Sequence, residues 1–231
     1  MKIMNKSTAS LLSTLVMCLG LASCAAPIIF GGVMGGAMVA SDRRTTGIQV
    51  EDEMIEQRSA TAIRENFGSK EHVNITSYNR QVLITGEVSS DAVKRQIESL
   101  IRKIENVRTD VVNELAIGPA SSVGERASDV LLVAKVKASM VDTEDVFANV
   151  YKVVGERGTI YLMGRVTQRE AKSATDVVRG VGGVKRVVRV FEYITEDELR
   201  AMQSRRSDSK SVDLNAPKPS ASTQPVVTPI K

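Results

Sequence analysis

The 231-residue chain has no tryptophan, and with four phenylalanines and four tyrosines its aromatic content is only 3%. Any core must therefore be built from Val, Ile, Leu, Ala and Met. Cysteine is scarcer still. Cys18 and Cys24 both lie in the N-terminal apolar stretch, so nothing downstream can form a disulfide, a thiol nucleophile or a thiolate metal site. The one histidine, His72, lacks a cysteine or second histidine to complete a metal set or triad. It reads as structural or exposed, and no metal is expected. Glu196, Asp197 and Glu198 fall in an expected loop or helix start, with no sign of a pocket that would shift a pKa. Gly180-Val-Gly-Gly183 follows a helical pattern and lacks the strand–loop–helix setting of a phosphate loop. It reads as a helix stop supplied by positive φ. These absences leave no catalytic residue, no cofactor beyond covalent acyl groups and no small-molecule substrate to expect.

Charge of one sign is also lacking. The net charge of +4 falls to +2 once residues 1–23, which carry Lys2 and Lys6, are removed. That is too small to point to nucleic acid.

What the chain does have begins with an address. Lys2 and Lys6 precede the apolar run Leu11, Leu12, Leu15, Val16, Met17, Leu19, which closes in small residues, as a secretory signal does. The closing Leu21-Ala22-Ser23-Cys24 resembles the lipobox of bacterial lipoproteins. That resemblance implies cleavage before Cys24 and acylation of that residue, and Ala25, where inner-membrane lipoproteins typically carry Asp, implies outer-membrane sorting. Several acyl chains, at ~0.8 kcal/mol per buried CH₂, make a stable anchor. A spanning helix over this region is disfavoured by Gly31, Gly32, Gly35 and Gly36, each costing about 1 kcal/mol relative to Ala. Residues 24–48 read as an apolar, Gly-rich tether. At the other end, residues 196–231 are rich in Ser, Pro and charge and are expected to be a disordered tail.

Between these ends lies an internal repeat. Val82-Leu-Ile-Thr-Gly-Glu-Val88 aligns with Ile160-Tyr-Leu-Met-Gly-Arg-Val166, the two glycines 78 residues apart. A helical pattern follows each. Val93, Ile97, Leu100, Ile101 and Ile104 share one face, as do Ala171, Ala174, Val177, Val178 and Val181. Val-rich runs then follow, Val107–Ile117 and Val184–Ile194. Strands His72–Ser77 and Asn149–Val154 precede the glycine strands, with turns at Asn79-Arg80 and across Gly155 to Gly158. Helices Asp52–Phe67 and Asp129–Val141 come first. Each copy reads α-β-β-α-β, an α+β sandwich with one sheet face under two helices. The expected modules are residues 49–118 and 124–195. One alone is marginally small, so a shared interface is expected.

The α-β-β-α-β unit with a glycine late in its second strand resembles the BON domain of bacterial periplasmic and outer-membrane proteins. Gly158–Lys172, Gly183–Val187 and Ser41–Asp52 are similar to dual-BON outer-membrane lipoproteins. The resemblance covers residues 1 to about 194. It implies a non-enzymatic, periplasm-facing protein that binds anionic phospholipid through its second module and supports envelope integrity, partly at division sites. Members can carry a large aromatic near the start of the second module's first helix, where this chain has Leu131.

Residues 51–117 hold nine Lys/Arg against twelve Asp/Glu, and residues 126–194 hold twelve against eight. An anionic ligand would favour the second, basic module, since each Lys or Arg near an anionic leaflet contributes ~1 kcal/mol. On helix Asp129–Val141, Leu132, Val133, Val136 and Met140 form the inward face. Leu131 falls about 160° away, beside Lys135 and Ala138. An exposed Leu beside a Lys suits a headgroup boundary. Leu131, Lys135, Lys137 and Arg126 are the candidate lipid contacts, with Lys172 as an extension; Phe147, just past the helix, is a candidate to replace the missing aromatic or else a core residue. The alternative is an envelope protein-interaction scaffold without direct lipid recognition, using the sheet edges and the acidic first module.

Overall fold

The computed structural model describes residues 42–212, with side chains as far as Arg205. The signal, Cys24 and most of the tether lie outside the described residues, as does the tail beyond Val212. Residues 42–193 form one compact unit and the segment from Ile194 a second.

Two helix–strand–strand–helix–strand modules make up the larger unit. In the first, helix α1 (Thr46–Phe67) leads into the hairpin β1 (His72–Tyr78) and β2 (Gln81–Val88), followed by α2 (Asp91–Ile101) and two short strands, β3 (Val112–Asn113) and β4 (Ala116–Ile117). In the second, α3 (Val123–Val141) and a 3₁₀ turn (Ala148–Val150) precede the hairpin β5 (Lys152–Glu156) and β6 (Thr159–Val166). Helix α4 (Gln168–Arg179) and strand β7 (Arg186–Tyr193) complete it. β1 pairs antiparallel with β2, and β3 and β4 lie parallel to β2. The second sheet runs β5-β6-β7, with β6 and β7 parallel.

The glycine strands are central and covered on both faces. Val82, Ile84 and Val88 meet Ile55, Ile97 and Ile101 beneath α1 and α2. Ile160, Leu162 and Val166 meet Leu132, Val136 and Val178 beneath α3 and α4. The alternate residues face the other module: Tyr78, Leu83, Tyr161, Met163 and Val190 form a third apolar cluster. The expected shared interface is thus sheet against sheet, with the helices outside.

Gly86 and Gly164 are where backbones approach closely. A Cβ on Gly86 would stand 2.0 Å from the His72 carbonyl oxygen, at a φ of 116°. A Cβ on Gly164 would stand 2.8 Å from the Val150 carbonyl oxygen. Both hairpins turn on paired left-handed residues, Asn79-Arg80 and Arg157-Gly158. In each module a buried aspartate of the first helix fastens that turn. Asp52 accepts from the Asn79 and Arg80 amides at 2.8 and 2.7 Å, and Asp129 from the Arg157 and Gly158 amides at 2.8 and 2.9 Å.

Several boundaries differ from those expected. Helix α3 starts at Val123, six residues before Asp129, because Ser122 and Glu125 form a reciprocal capping box. Gly155 belongs to β5, so the second turn is tighter than the sequence suggested. The first module's last strand is broken at Glu114-Leu115, opposite Thr85-Gly86 of β2, with the register unchanged on either side. At the end of α4, Gly180 stays right-handed and Gly183, φ 102°, supplies the left-handed residue.

The expected disorder from residue 196 is corrected over its first part. A helix, α5, runs Glu196–Val212. Glu198 accepts from the Thr195 amide at 2.7 Å and donates its own amide to Thr195 Oγ1 at 3.1 Å, which starts the helix. Three acidic residues in the first turn complement the helix dipole. The prolines that suggested disorder begin only at Pro217.

Candidate membrane-contact face

The capping box at Ser122 lengthens α3 enough to give it a second apolar face. At about 100° per residue, Val123, Ala127, Val130, Leu131, Ala134, Ala138 and Val141 fall in one stripe opposite the buried Leu132, Val136 and Met140. The stripe is open to solvent: Val123 is 82% exposed, Val130 69%, Leu131 63% and Val141 69%. Lys135 borders one edge, and Lys137 and Arg126 border the other, all exposed. Phe147, just past the helix, is 59% exposed and not part of a core. Lys172 lies apart on α4, paired with Asp176 at 2.7 Å.

The basic residues of this face differ in their freedom. Lys135 and Lys137 form no hydrogen bond or ion pair among the described residues. The Arg126 guanidinium donates to the Ser121 carbonyl at 2.8 and 3.0 Å, so its charge is held against the helix start. Lys135 also borders a cleft of about 530 Å³ that Arg157 and Lys185 line.

The second module's excess of positive charge has a use that the sequence reading did not assign. Lys152 pairs with Glu56 at 2.6 Å and Arg186 with Glu114 at 2.5 Å, both in the first module. Glu192 binds Arg108 at 2.7 Å, Asn79 at 2.6 Å and its neighbour Arg165 at 2.8 Å. Part of the asymmetry is therefore spent joining the modules through Lys152 and Arg186, while Lys135 and Lys137 along α3 stay unpaired among the described residues. Charge totals over sequence could not separate the two uses, because the pairing depends on the sheet-to-sheet docking.

The same junction holds titratable groups that periodicity missed. Glu87 on β2 is fully buried and contacts His72 Nδ1 at 2.8 Å. Burial pushes the Glu87 carboxyl upward, but the Ser121 amide and His72 outweigh it and hold it below the ordinary carboxylate range. Glu156 on β5 is driven up by burial, against a hydrogen bond from the Asn74 amide at 3.0 Å. A glutamate in an alternating strand reads as solvent-facing, so only the second sheet packing over it reveals its burial.

Comparison with known proteins fits this architecture. The family model described as BON domain matches residues 51–119 and 128–195. The chain belongs to the BON-domain family. It is 37% identical over 193 residues to "Outer membrane lipoprotein DolP" of Haemophilus influenzae, covering 81% of this chain and 99% of that protein. It is 30% identical over 155 residues to "21 kDa hemolysin" of Actinobacillus pleuropneumoniae, covering 66% of this chain and 79% of that protein. The chain is thus a DolP-like protein of two BON domains, and the exposed stripe lies on the first helix of the second. Among the described residues, no helix is long and apolar enough to cross a membrane.

Proposed function

We propose that this chain is a lipoprotein of the outer membrane, held by acyl groups on Cys24 and facing the periplasm, whose second BON domain binds anionic phospholipid through the outer face of α3. The observation that carries this is the apolar stripe Val123, Val130, Leu131 and Val141 with lysines along both edges. Such a helix lies in the interfacial plane, its apolar face among the acyl-chain ends and its ammonium groups among phosphates. Similarity to an outer-membrane lipoprotein over nearly all of that protein's length supports the anchor and the compartment. The role is one of binding, not catalysis, and its expected consequence is support of envelope integrity. Division-site placement is the finer expectation that comes with the family.

The test is flotation of residues 42–231 with vesicles. That segment holds both cores and lacks the anchor. Association with phosphatidylglycerol vesicles and not with phosphatidylcholine vesicles is expected, and Leu131→Glu is expected to abolish it. Equal partitioning to both vesicle types, or none to either, would remove the lipid role. Capture of one stoichiometric envelope protein without a lipid response would support the scaffold alternative. Mass measurement of the native chain, showing acyl additions on Cys24 or none, tests the anchor separately.

A further inference from the structure

We infer that His72, Glu87 and Glu156 form a divalent transition-metal site of zinc type at the junction of the two BON domains. The three residues come from β1, β2 and β5, so two ligands belong to the first domain and one to the second. Each offers one ligand atom, and these atoms lie within 4.8 Å of one another. His72 Nδ1 and Glu87 Oε2 are already 2.8 Å apart.

Glu87 makes the cluster more than a chance meeting of charges. Its side chain is fully buried, and its Oε1 has no hydrogen-bond partner among the described residues. Arg157 Nη1 forms a long ion pair with that oxygen at 3.8 Å, beyond hydrogen-bond range, from a side chain that is half exposed. A buried carboxylate oxygen left in this state is costly. A cation bound directly to the carboxylate relieves that cost, and Arg157 can swing outward to admit it.

Imidazole nitrogen and carboxylate oxygen are both donors that zinc accepts, and three such ligands leave one tetrahedral position for water. Mg²⁺ and Ca²⁺ prefer more oxygen ligands and no nitrogen. Ligand atoms around tetrahedral zinc stand about 3.4 Å apart, which follows from bonds of about 2.1 Å. The sites need only side-chain adjustments of about 1 Å to reach that spacing from the present one. A cavity of about 300 Å³ lined by His72, Asn74, Glu156 and Val130 gives the ion and its water a way in. Asn74 and the Ser121 amide, which donate to Glu156 and Glu87 at 3.0 Å each, fix the carboxylates from behind. The ion would fasten β5 of one domain to β1 and β2 of the other. The site does not rest on the membrane-contact reading, although Val130 of that face borders its entrance.

The test uses the full chain, purified in detergent without a histidine tag. His72 is the one imidazole in the chain, so its ring resonances report on the site without assignment. One equivalent of ZnCl₂ is expected to shift them. Zinc at a hundredfold its Kd is expected to raise the melting temperature by about 5–10 °C, and equal MgCl₂ or CaCl₂ is expected to leave it unchanged. Glu156→Gln keeps the Asn74 hydrogen bond and is expected to remove most of the zinc effect. Should that variant fail to fold, His72→Gln, at the more exposed end of the cluster, takes its place. Imidazole signals that zinc does not move, or a melting shift that survives the substitution, would overturn the site.

Discussion

Arg43 and Glu170, 127 positions apart, form a two-pronged ion pair at 2.6 and 2.8 Å, both side chains nearly inaccessible to solvent. Arg43 precedes α1 and Glu170 opens α4, so the residues entering the first BON domain are locked into the second. The Arg43 guanidinium also donates to the Arg165 carbonyl at 2.6 Å. Next to it, Arg44 binds the buried Asp52 at 2.8 Å and lies 4.3 Å over the Tyr78 ring. Two adjacent arginines thus fix where the chain leaves its tether and where the two domains meet.

Removing one member of a buried pair leaves the other charge without its partner, at a cost of about 3–5 kcal/mol. Arg43→Ala should therefore lower the unfolding free energy by roughly 3 kcal/mol. The retained Thr167 amide hydrogen bond to Glu170, at 2.9 Å, keeps the loss near the low end. Urea titration checks this. A change below about 0.5 kcal/mol, the size of an ordinary surface substitution, would mean that the entering segment does not brace the domains.

Glu192 makes the junction sensitive to acid. Burial alone drives its carboxyl upward, but the Asn79 amide and the Arg165 and Arg108 guanidiniums outweigh that and hold it below its ordinary value of 4.5. Its stabilising contribution is complete above 4.5 and is lost as pH falls through the lower folded value. Glu192→Gln should lower the melting temperature at pH 7 and flatten its decline between pH 5 and about pH 3. Parallel curves for the two proteins would remove Glu192 from the acid transition.

The two strand glycines occupy matching positions but should not tolerate alanine equally. At Gly86 a methyl group meets a carbonyl oxygen at 2.0 Å, in a backbone conformation that L-residues rarely adopt. Strain and overlap together amount to more than about 3 kcal/mol, so Gly86→Ala should fail to fold or be severely weakened. Gly164 has an ordinary φ and its contact is 2.8 Å. Gly164→Ala should cost about 1–3 kcal/mol and leave a folded chain. Equal losses in urea titrations would show that the left-handed backbone at Gly86 carries no special cost.

Much of this architecture was legible in the sequence, because it is local and periodic. The alternation around Gly86 and Gly164, the 3.6-residue spacing of Ile97 and Ile101 and of Ala174 and Val178, and the Asn79-Arg80 turn each fix their own element. The start of α3 was legible too, in Ser122 and Glu125, but the apolar pattern from Asp129 obscured it. The pairing of Arg43 with Glu170 was not legible, nor was the burial of Glu87, since both arise only once the two sheets dock. Helix α5 is hidden for a different reason: Pro217, Pro219, Pro225 and Pro229 dominate the composition of the whole end, and the stretch before them has no proline.

The α3 face should divide its membrane affinity between grease and charge in a way that salt can separate. Lys135 and Lys137 flank the stripe without partners among the described residues, and each contributes ~1 kcal/mol near an anionic leaflet. Replacing both by alanine should lower partitioning to phosphatidylglycerol vesicles about 30-fold at low salt. The Arg126 guanidinium is already engaged by Ser121, so Arg126→Ala should lose less than either lysine. At 0.5 M salt the lysine effect should largely vanish, because the Debye length shrinks to roughly 4 Å. Leu131→Glu should remain defective at every salt concentration, since the apolar contact is unscreened. All of these residues are exposed, so their melting temperatures should stay within the range of surface substitutions. A lysine effect that persists at high salt would mean that these side chains touch something other than a charged bilayer.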